Sequence, residues 1–182
     1  KIAMATSMDV ISFDYRLAPE FPFPAALHDV VKIWDYLMML GYGSKDIIVM
    51  GDSAGGNLAL SLGLKLKEEE RFLPGAFVLM SPWTDLTTSG KSHVTKEALD
   101  PILDHEYMDK ARYSYTTEEN FENPLVSPLF GDFTDFPPVY IQVGNNEILL
   151  SDSVRLHKQL IKQGVSARLD LYKGCLLYTS PS

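Results

Sequence analysis

Short apolar runs of strand length alternate along this chain with stretches of helical period. Val10-Ile11-Ser12-Phe13 and Ile47-Ile48-Val49 have the composition of buried strands, as do Val139 to Val143 and Ala167-Arg168-Leu169-Asp170-Leu171-Tyr172. Between them, Ala26, Val30, Ile33, Trp34 and Leu37 recur on one face of a helix that runs to about Leu40. Leu58-Ala59-Leu60 opens a second helix, and Asp152 to Gln163 form a third. The order is strand, helix, strand, helix, strand, long insertion, strand, helix, strand. That alternation predicts an α/β fold with a mostly parallel sheet and flanking helices. The insertion, about residues 82–138, is rich in aromatics, including Trp83, Tyr107, Tyr113, Tyr115, Phe121, Phe130, Phe133 and Phe136. Most of these are expected to pack against the sheet.

The densest chemical signal lies where the second strand meets the second helix. Met50-Gly51-Asp52-Ser53-Ala54-Gly55-Gly56-Asn57 reads as a strand, a sharp turn and a helix with a serine at the apex, the layout of a nucleophile elbow. Gly51 and Gly55 are expected to be small because a strained turn leaves no room for side chains, and the pair Gly55-Gly56 to let the helix approach the sheet. Ser53 is the candidate nucleophile, and the N–H of Ala54, at the helix start, a candidate oxyanion donor. A bare G-x-S-x-G arises by chance in about 5% of chains of this length, so the flanking strand and helix decide in favour of the chemical reading.

Upstream, the strand at Val10 to Phe13 runs into Tyr15-Arg16-Leu17-Ala18-Pro19-Glu20 and then Phe23-Pro24-Ala25-Ala26. Downstream stand Ser81-Pro82-Trp83-Thr84-Asp85-Leu86, the Asn-Pro-Leu-Val-Ser-Pro segment ending in Pro124 to Pro128, and Pro137-Pro138-Val139-Tyr140-Ile141-Gln142-Val143-Gly144. With Gly-Asp-Ser-Ala-Gly-Gly, these segments resemble the hormone-sensitive-lipase-like branch (bacterial family IV type) of the α/β-hydrolase family, in its order, from about Ala3 to Gly174. The resemblance implies a partial α/β-hydrolase fold over residues 1–174 in which the insertion contributes to a cap over the active site.

It also implies a triad of serine, acid and histidine in that order. The segment matching the acid is Val143-Gly144-Asn145-Asn146-Glu147-Ile148-Leu149-Leu150-Ser151-Asp152, with Glu147 where most of the family has Asp. Glu147 is preferred to its rival Asp152, which is more simply a helix cap or a first-turn charge. The family places its histidine a few residues past the last strand, yet Lys173-Gly174 is followed by Cys175-Leu176-Leu177-Tyr178-Thr179-Ser180-Pro181-Ser182. That octapeptide matches a translation of a transposon-based sequencing adapter, so the natural sequence is expected to stop at Gly174. None of the four histidines present, His28, His93, His105 and His157, matches the family position. His28 and His157 are expected on solvated helix faces, and His93 and His105 in the irregular middle region.

The family's His-Gly-Gly-Gly oxyanion loop is expected before Lys1, on a strand lying between Val10–Phe13 and Ile47–Met50. Its loss would leave a gap inside the sheet, and an insoluble or molten chain is the expected result.

Composition narrows the partners. A net charge of −8 over 182 residues argues against nucleic acid, and no apolar run reaches the length of a membrane span. Glu68-Glu69-Glu70 is a solvated helix end. The one cysteine, Cys175, falls in the adapter-like tail, and no histidine–glutamate or cysteine spacing suggests a metal. The expected location is the cytoplasm, the residues that would carry a signal peptide lying before Lys1. The resemblance implies a carboxylic ester hydrolase acting on short to medium acyl esters through an acyl-enzyme, without cofactor or metal, and a homodimer of the full-length form is compatible with it. This chain, without the histidine, is expected to be inactive. Two other readings stand beside it: a non-catalytic small-molecule receptor on the same scaffold, like the gibberellin receptors, and another serine hydrolase such as a peptidase or acyltransferase.

Overall fold

A computed structural model describes residues 2–174. A short helix α1 (Ile2–Thr6) is followed by an irregular segment, then α2 (Ala25–Met39), β1 (Ile48–Asp52), α3 (Ala54–Glu68) and β2 (Ala76–Met80). The insertion holds α4 (Ser92–Thr95) and α5 (His105–Tyr115), after which come β3 (Val139–Gly144), α6 (Leu150–Lys162) and β4 (Ala167–Tyr172). The four strands form one parallel sheet in the order β1-β2-β3-β4. Asp52 pairs with Met80, Met80 with Gln142, and Gln142 with Asp170, so the carboxyl ends of the strands come into line.

Helices α3 and α6 both pack against the sheet, α3 on β1 and β2, α6 on β3 and β4. The face they cover carries Phe77, Leu79, Val139 and Ile141, all buried, together with Leu60 and Leu64 of α3 and Leu156 and Leu160 of α6. Phe136 stacks on Phe77 with ring centroids 5.0 Å apart, and Phe133 meets Phe136 edge-on at 5.1 Å. The opposite face, with Val78, Met80, Tyr140 and Gln142, is only half-buried. A sheet buried on one face only shows alternation rather than a continuous apolar run, and β2 and β3 alternate in this way.

Helix α2 lies on the outer side of α3, where Ala26, Leu27, Val30 and Trp34 meet Leu58, Leu62 and Leu66. Its predicted stripe is narrower than expected, since Ile33 and Leu37 are only half-buried and Leu27 takes part instead. His28 is exposed, as expected, while His157 on α6 is half-buried. Arg16 ties the preceding segment to this helix, with its N–H, Nε and guanidinium all donating to the Asp29 carboxylate at 2.8–3.0 Å. That bond holds the Asp29 carboxyl down at about 2.

The insertion divides in two. Its last part, from Leu129 to Phe136, joins the main core, whereas Trp83, Leu86, Met108, Phe121 and Val126 build a second cluster with Ile148 and Leu149 at the start of α6. The packing against the sheet expected of its aromatics therefore holds for Phe133 and Phe136; Trp83 and Phe121 are buried in the second cluster instead, and Tyr107, Tyr113 and Phe130 are exposed.

Residues Val10 to Phe13 correct one expectation, since they form no strand. Val10 is 51% and Ile11 53% exposed, and neither bonds to another backbone group among the described residues. An apolar run becomes a strand only when another strand takes up its N–H and C=O groups, and none of the four strands lies beside this one. The complementary gap is at β1, an edge strand whose Ile48 and Met50 are both more than 40% exposed. The adapter-like residues Cys175 to Ser182 lie outside the described residues.

An apolar open edge templates pairing with a second chain, so this chain is expected to self-associate, and Met50→Lys to shift sedimentation toward the monomer. A wild-type chain that stays monomeric at high concentration would contradict this. Phe133→Ala, in the core, should cost about 3–5 kcal/mol in urea unfolding, against a change within about 0.5 kcal/mol for exposed Phe72→Ala.

Candidate active site

Ser53 occupies the single residue between β1 and α3. It has φ 51° and ψ −119°, a strained left-handed backbone for a residue with a Cβ. Three bonds hold it there. Its N–H donates to the Met80 carbonyl at 2.9 Å, and its own carbonyl accepts from Asn57 N–H at 3.2 Å and Trp83 N–H at 3.1 Å. Ala54 opens α3, where the first N–H groups have no intrahelical carbonyl to bond, and it is exposed. Asp52 is exposed as well, and its charge, after burial, helps push the Tyr15 phenol up.

The glycines of the turn divide differently from the expectation. A Cβ on Gly51 would lie 2.2 Å from the Gly55 carbonyl oxygen, and one on Gly56 2.8 Å from Pro82 Cβ, so the crossing of α3 over the strand end requires both. Gly55 does not share this constraint: its Cβ would meet only Asp52 Oδ1, at an ordinary 3.8 Å. The backbone of Gly55, not space at its Cα, is what crowds Gly51.

Asn57, one turn into α3, has a clamping role that its place in the motif did not reveal. Its Nδ2 donates to the carbonyls of Trp83 and Val126, both at 2.8 Å, and so fastens the beginning and the later part of the insertion to the helix that carries Ser53.

Glu147 lies in the loop after β3 and is 2% exposed. Its Oε1 accepts from Gly144 N–H at 2.8 Å, while Oε2 is buried with no hydrogen-bond partner among the described residues. Burial pushes this carboxyl up from its ordinary value; the Ser81 hydroxyl and the Gly144 N–H oppose the rise, and the charge of Asp100 adds to it. The register puts Ser53, Ser81 and the Glu147 loop on successive strand ends, with β2 between nucleophile and acid. Two strand spacings amount to about 10 Å.

Of the two roles expected for Asp152, helix cap or first-turn charge, the structure bears out the first-turn place and not the cap. It sits in the first turn of α6 but caps nothing there; it is fully buried, and its Oδ2 accepts from the N–H groups of Thr84 and Asp85, both at 2.9 Å. Oδ1 bonds His93 Nε2 at 2.8 Å. Both oxygens are thus taken, which leaves Glu147 as the carboxylate with an uncommitted oxygen. Burial pushes the Asp152 carboxyl up, against the bond from His93.

His93 is 1% exposed, on α4, and its Nδ1 has no partner among the described residues, so it does not bond Ser53. His105 starts α5 beside Glu97 at 3.5 Å. Among the described residues, no group of three or more His, Cys, Asp or Glu side chains is placed to hold a metal ion, and no helix is long and apolar enough to cross a membrane.

The model of a family with the α/β-hydrolase fold matches residues 1–177. An esterase of Acinetobacter venetianus is 40% identical over 174 residues, which cover 95% of this chain and 57% of that protein. An acetyl-hydrolase of Streptomyces hygroscopicus is 37% identical, with coverage of 88% and 54%. Among solved structures, an esterase/lipase from an uncultured bacterium matches with a TM-score of 0.91 at 32% identity, over 96% of this chain and 59% of that one. An esterase of the bacterial hormone-sensitive lipase family matches with a TM-score of 0.87 at 37% identity, over 90% and 55%. The chain therefore spans about half the length of the relatives it matches.

Two outcomes follow from the site. Gly51→Ala should destabilise the chain by several kcal/mol or prevent folding, because the clash is with backbone, whereas Gly55→Ala should be neutral or stabilising by up to about 1 kcal/mol; comparable losses in both, measured by urea unfolding, would contradict the geometry. A carboxyl raised in the folded state contributes stability below its unfolded value that is lost as pH rises through the folded one. Glu147→Gln should therefore raise the unfolding midpoint at pH 8 and have no such effect near pH 4.

Proposed function

The chain belongs to the family with the α/β-hydrolase fold, and on that premise we propose that its protein is a serine-dependent carboxylic ester hydrolase. The observation that carries the reading is the pairing of a serine held at φ 51° in the turn between β1 and α3 with a buried carboxylate, Glu147, whose Oε2 bonds nothing among the described residues. A buried carboxyl oxygen left unpaired is costly, and an imidazole N–H is the partner the chemistry calls for. An acid kept at that cost favours an enzyme over a receptor.

Ser53 Oγ attacks the ester carbonyl carbon while a histidine takes the hydroxyl proton. Glu147 orients that histidine and stabilises its charged form. The Ala54 N–H donates to the oxyanion of the tetrahedral intermediate. Collapse breaks the carbon–oxygen bond to the alcohol, which leaves with the proton from the imidazolium, and water then releases the acid from the acyl-enzyme by the same steps. Short to medium acyl esters are the proposed substrates, in keeping with relatives named esterase and acetyl-hydrolase, and the insertion the proposed contributor to a cap. The chemistry needs no metal or cofactor.

The base comes from outside these residues. His93 is committed to Asp152, His28 is exposed on α2, His105 lies beside Glu97 on α5, and His157 is on the helix beyond the acid. We therefore expect the 182-residue chain alone to give no Ser53-dependent hydrolysis of p-nitrophenyl butyrate. The protein read from its source gene past Gly174 should carry a histidine within about five residues and hydrolyse the ester, with Ser53→Ala lowering kcat at least about a thousandfold. A gene-length protein without Ser53-dependent turnover of acetyl or butyryl esters would overturn the reading.

A further inference from the structure

The buried polar groups around α4 reach both halves of the site without entering it. On the nucleophile side, Asp152 Oδ2 holds the N–H groups of Thr84 and Asp85, and the preceding residue, Trp83, holds the Ser53 carbonyl. On the acid side, Ser92, adjacent to His93, hydrogen-bonds the Ile148 carbonyl through its hydroxyl and accepts the Ser151 N–H at 2.8 Å, while its own N–H donates to Ser151 Oγ at 2.8 Å. Ile148 directly follows Glu147, and Ile148 N–H donates to Asp100 Oδ2 at 3.1 Å.

His93 joins the two sides. Its Nε2 is 2.8 Å from Asp152 Oδ1, and its Nδ1 is buried without a partner among the described residues. An orphaned buried N–H is rarer and costlier than an orphaned acceptor, which assigns the ring proton to Nε2, donating to the carboxylate. Beside it, Asp85 is also fully buried and is neutralised by Arg155 at 2.6 Å. Among the described residues, Asp152 has no such cation and accepts three hydrogen bonds: two from backbone, one from His93.

We propose that Asp152 and His93 form a positioning pair, fixing from outside the site where Ser53 and Glu147 stand relative to one another. Neither touches the reacting atoms. Asp152 shapes the segment that braces the Ser53 carbonyl, and His93 couples that segment to the α4 staple on the Glu147 loop. In the esterase reading, on which its consequence rests, the pair sets the gap that the imidazole must bridge.

The test is amide hydrogen exchange in the 182-residue chain, which needs no turnover and so stands or falls separately from the esterase reading. Trp83 N–H, bonded to Ser53 O, reports the nucleophile; Gly144 N–H, bonded to Glu147 Oε1, reports the acid. Asp152→Ala should speed exchange at both by about ten- to a hundredfold relative to Leu79 and Ile141 in the core. Asp152→Asn, which keeps one oxygen for Thr84 and Asp85, should recover most of the loss at Trp83. Leu160→Ala, a core cavity remote from α4, should speed all four amides together. Because Asp152→Ala risks unfolding, His93→Leu against His93→Gln is the second comparison: Gln retains a donor toward Asp152 and should stay near wild type, while Leu should speed Gly144 and Trp83. Exchange at Trp83 and Gly144 that keeps step with Leu79 and Ile141 in these variants would overturn the proposal. So would the unfolding of all of them, since the pair would then serve the fold as a whole.

Discussion

Two hydrogen bonds carry the parallel register past the last paired residues: Ser53 N–H to the Met80 carbonyl at 2.9 Å, and Ser81 N–H to the Gln142 carbonyl at 2.8 Å. Because the ladder continues for one residue beyond β1 and β2, the backbone departs from each strand at the same level, and the serine of one loop and the acid of another share one rim. Ser53 can hold its strained dihedrals there because its carbonyl is bonded twice, by α3 and by Trp83, so the surroundings over-determine the turn. Gly51 and Gly56 are the steric counterpart of that constraint, allowing α3 and Pro82 to come within reach.

The rim is built from polar groups that the interior must accommodate. Asn57, Asp85, His93, Glu147 and Asp152 are all buried, and in a low-dielectric interior each must be bonded or become a liability. Asn57 spends both amide hydrogens on carbonyls of the insertion, Asp85 is met by Arg155, and Asp152 by two backbone N–H groups and His93. Among the described residues, Glu147 Oε2 and His93 Nδ1 are the atoms of this set left without a partner.

The packing of the sheet is uneven in a way that bears on the same rim. Helices α3 and α6 bury one face around Phe77, Phe133 and Phe136, while Val78, Met80, Tyr140 and Gln142 on the other are half-buried and the β1 edge is open at Ile48 and Met50. The elements bearing Ser53 and Glu147 lie against the buried face and draw on that core. Val10 to Phe13, whose composition suits a strand just as well, has no such support and stays exposed.

What the sequence determined by itself is local. The strand, turn and helix around Ser53, the strand at 167–172 and the helix after Glu147, which starts two residues earlier than expected, follow from hydrophobic period and glycine placement within a dozen residues. The preference for Glu147 over Asp152 came from the family's motif; among the described residues both Asp152 oxygens are bonded and Glu147 Oε2 is not. Tertiary structure decided the rest. Whether Val10 to Phe13 becomes a strand depends on a neighbour, which its own side chains cannot specify. Gly56 rather than Gly55 is sterically required, because the obstruction is Pro82 at the end of another strand. Asp152 is a bracket for Thr84 and Asp85 rather than a cap because its partners come from 67 and 68 positions away, and His93 from 59. A buried carboxylate and a solvated one have the same letter; only the fold determines which donors reach it.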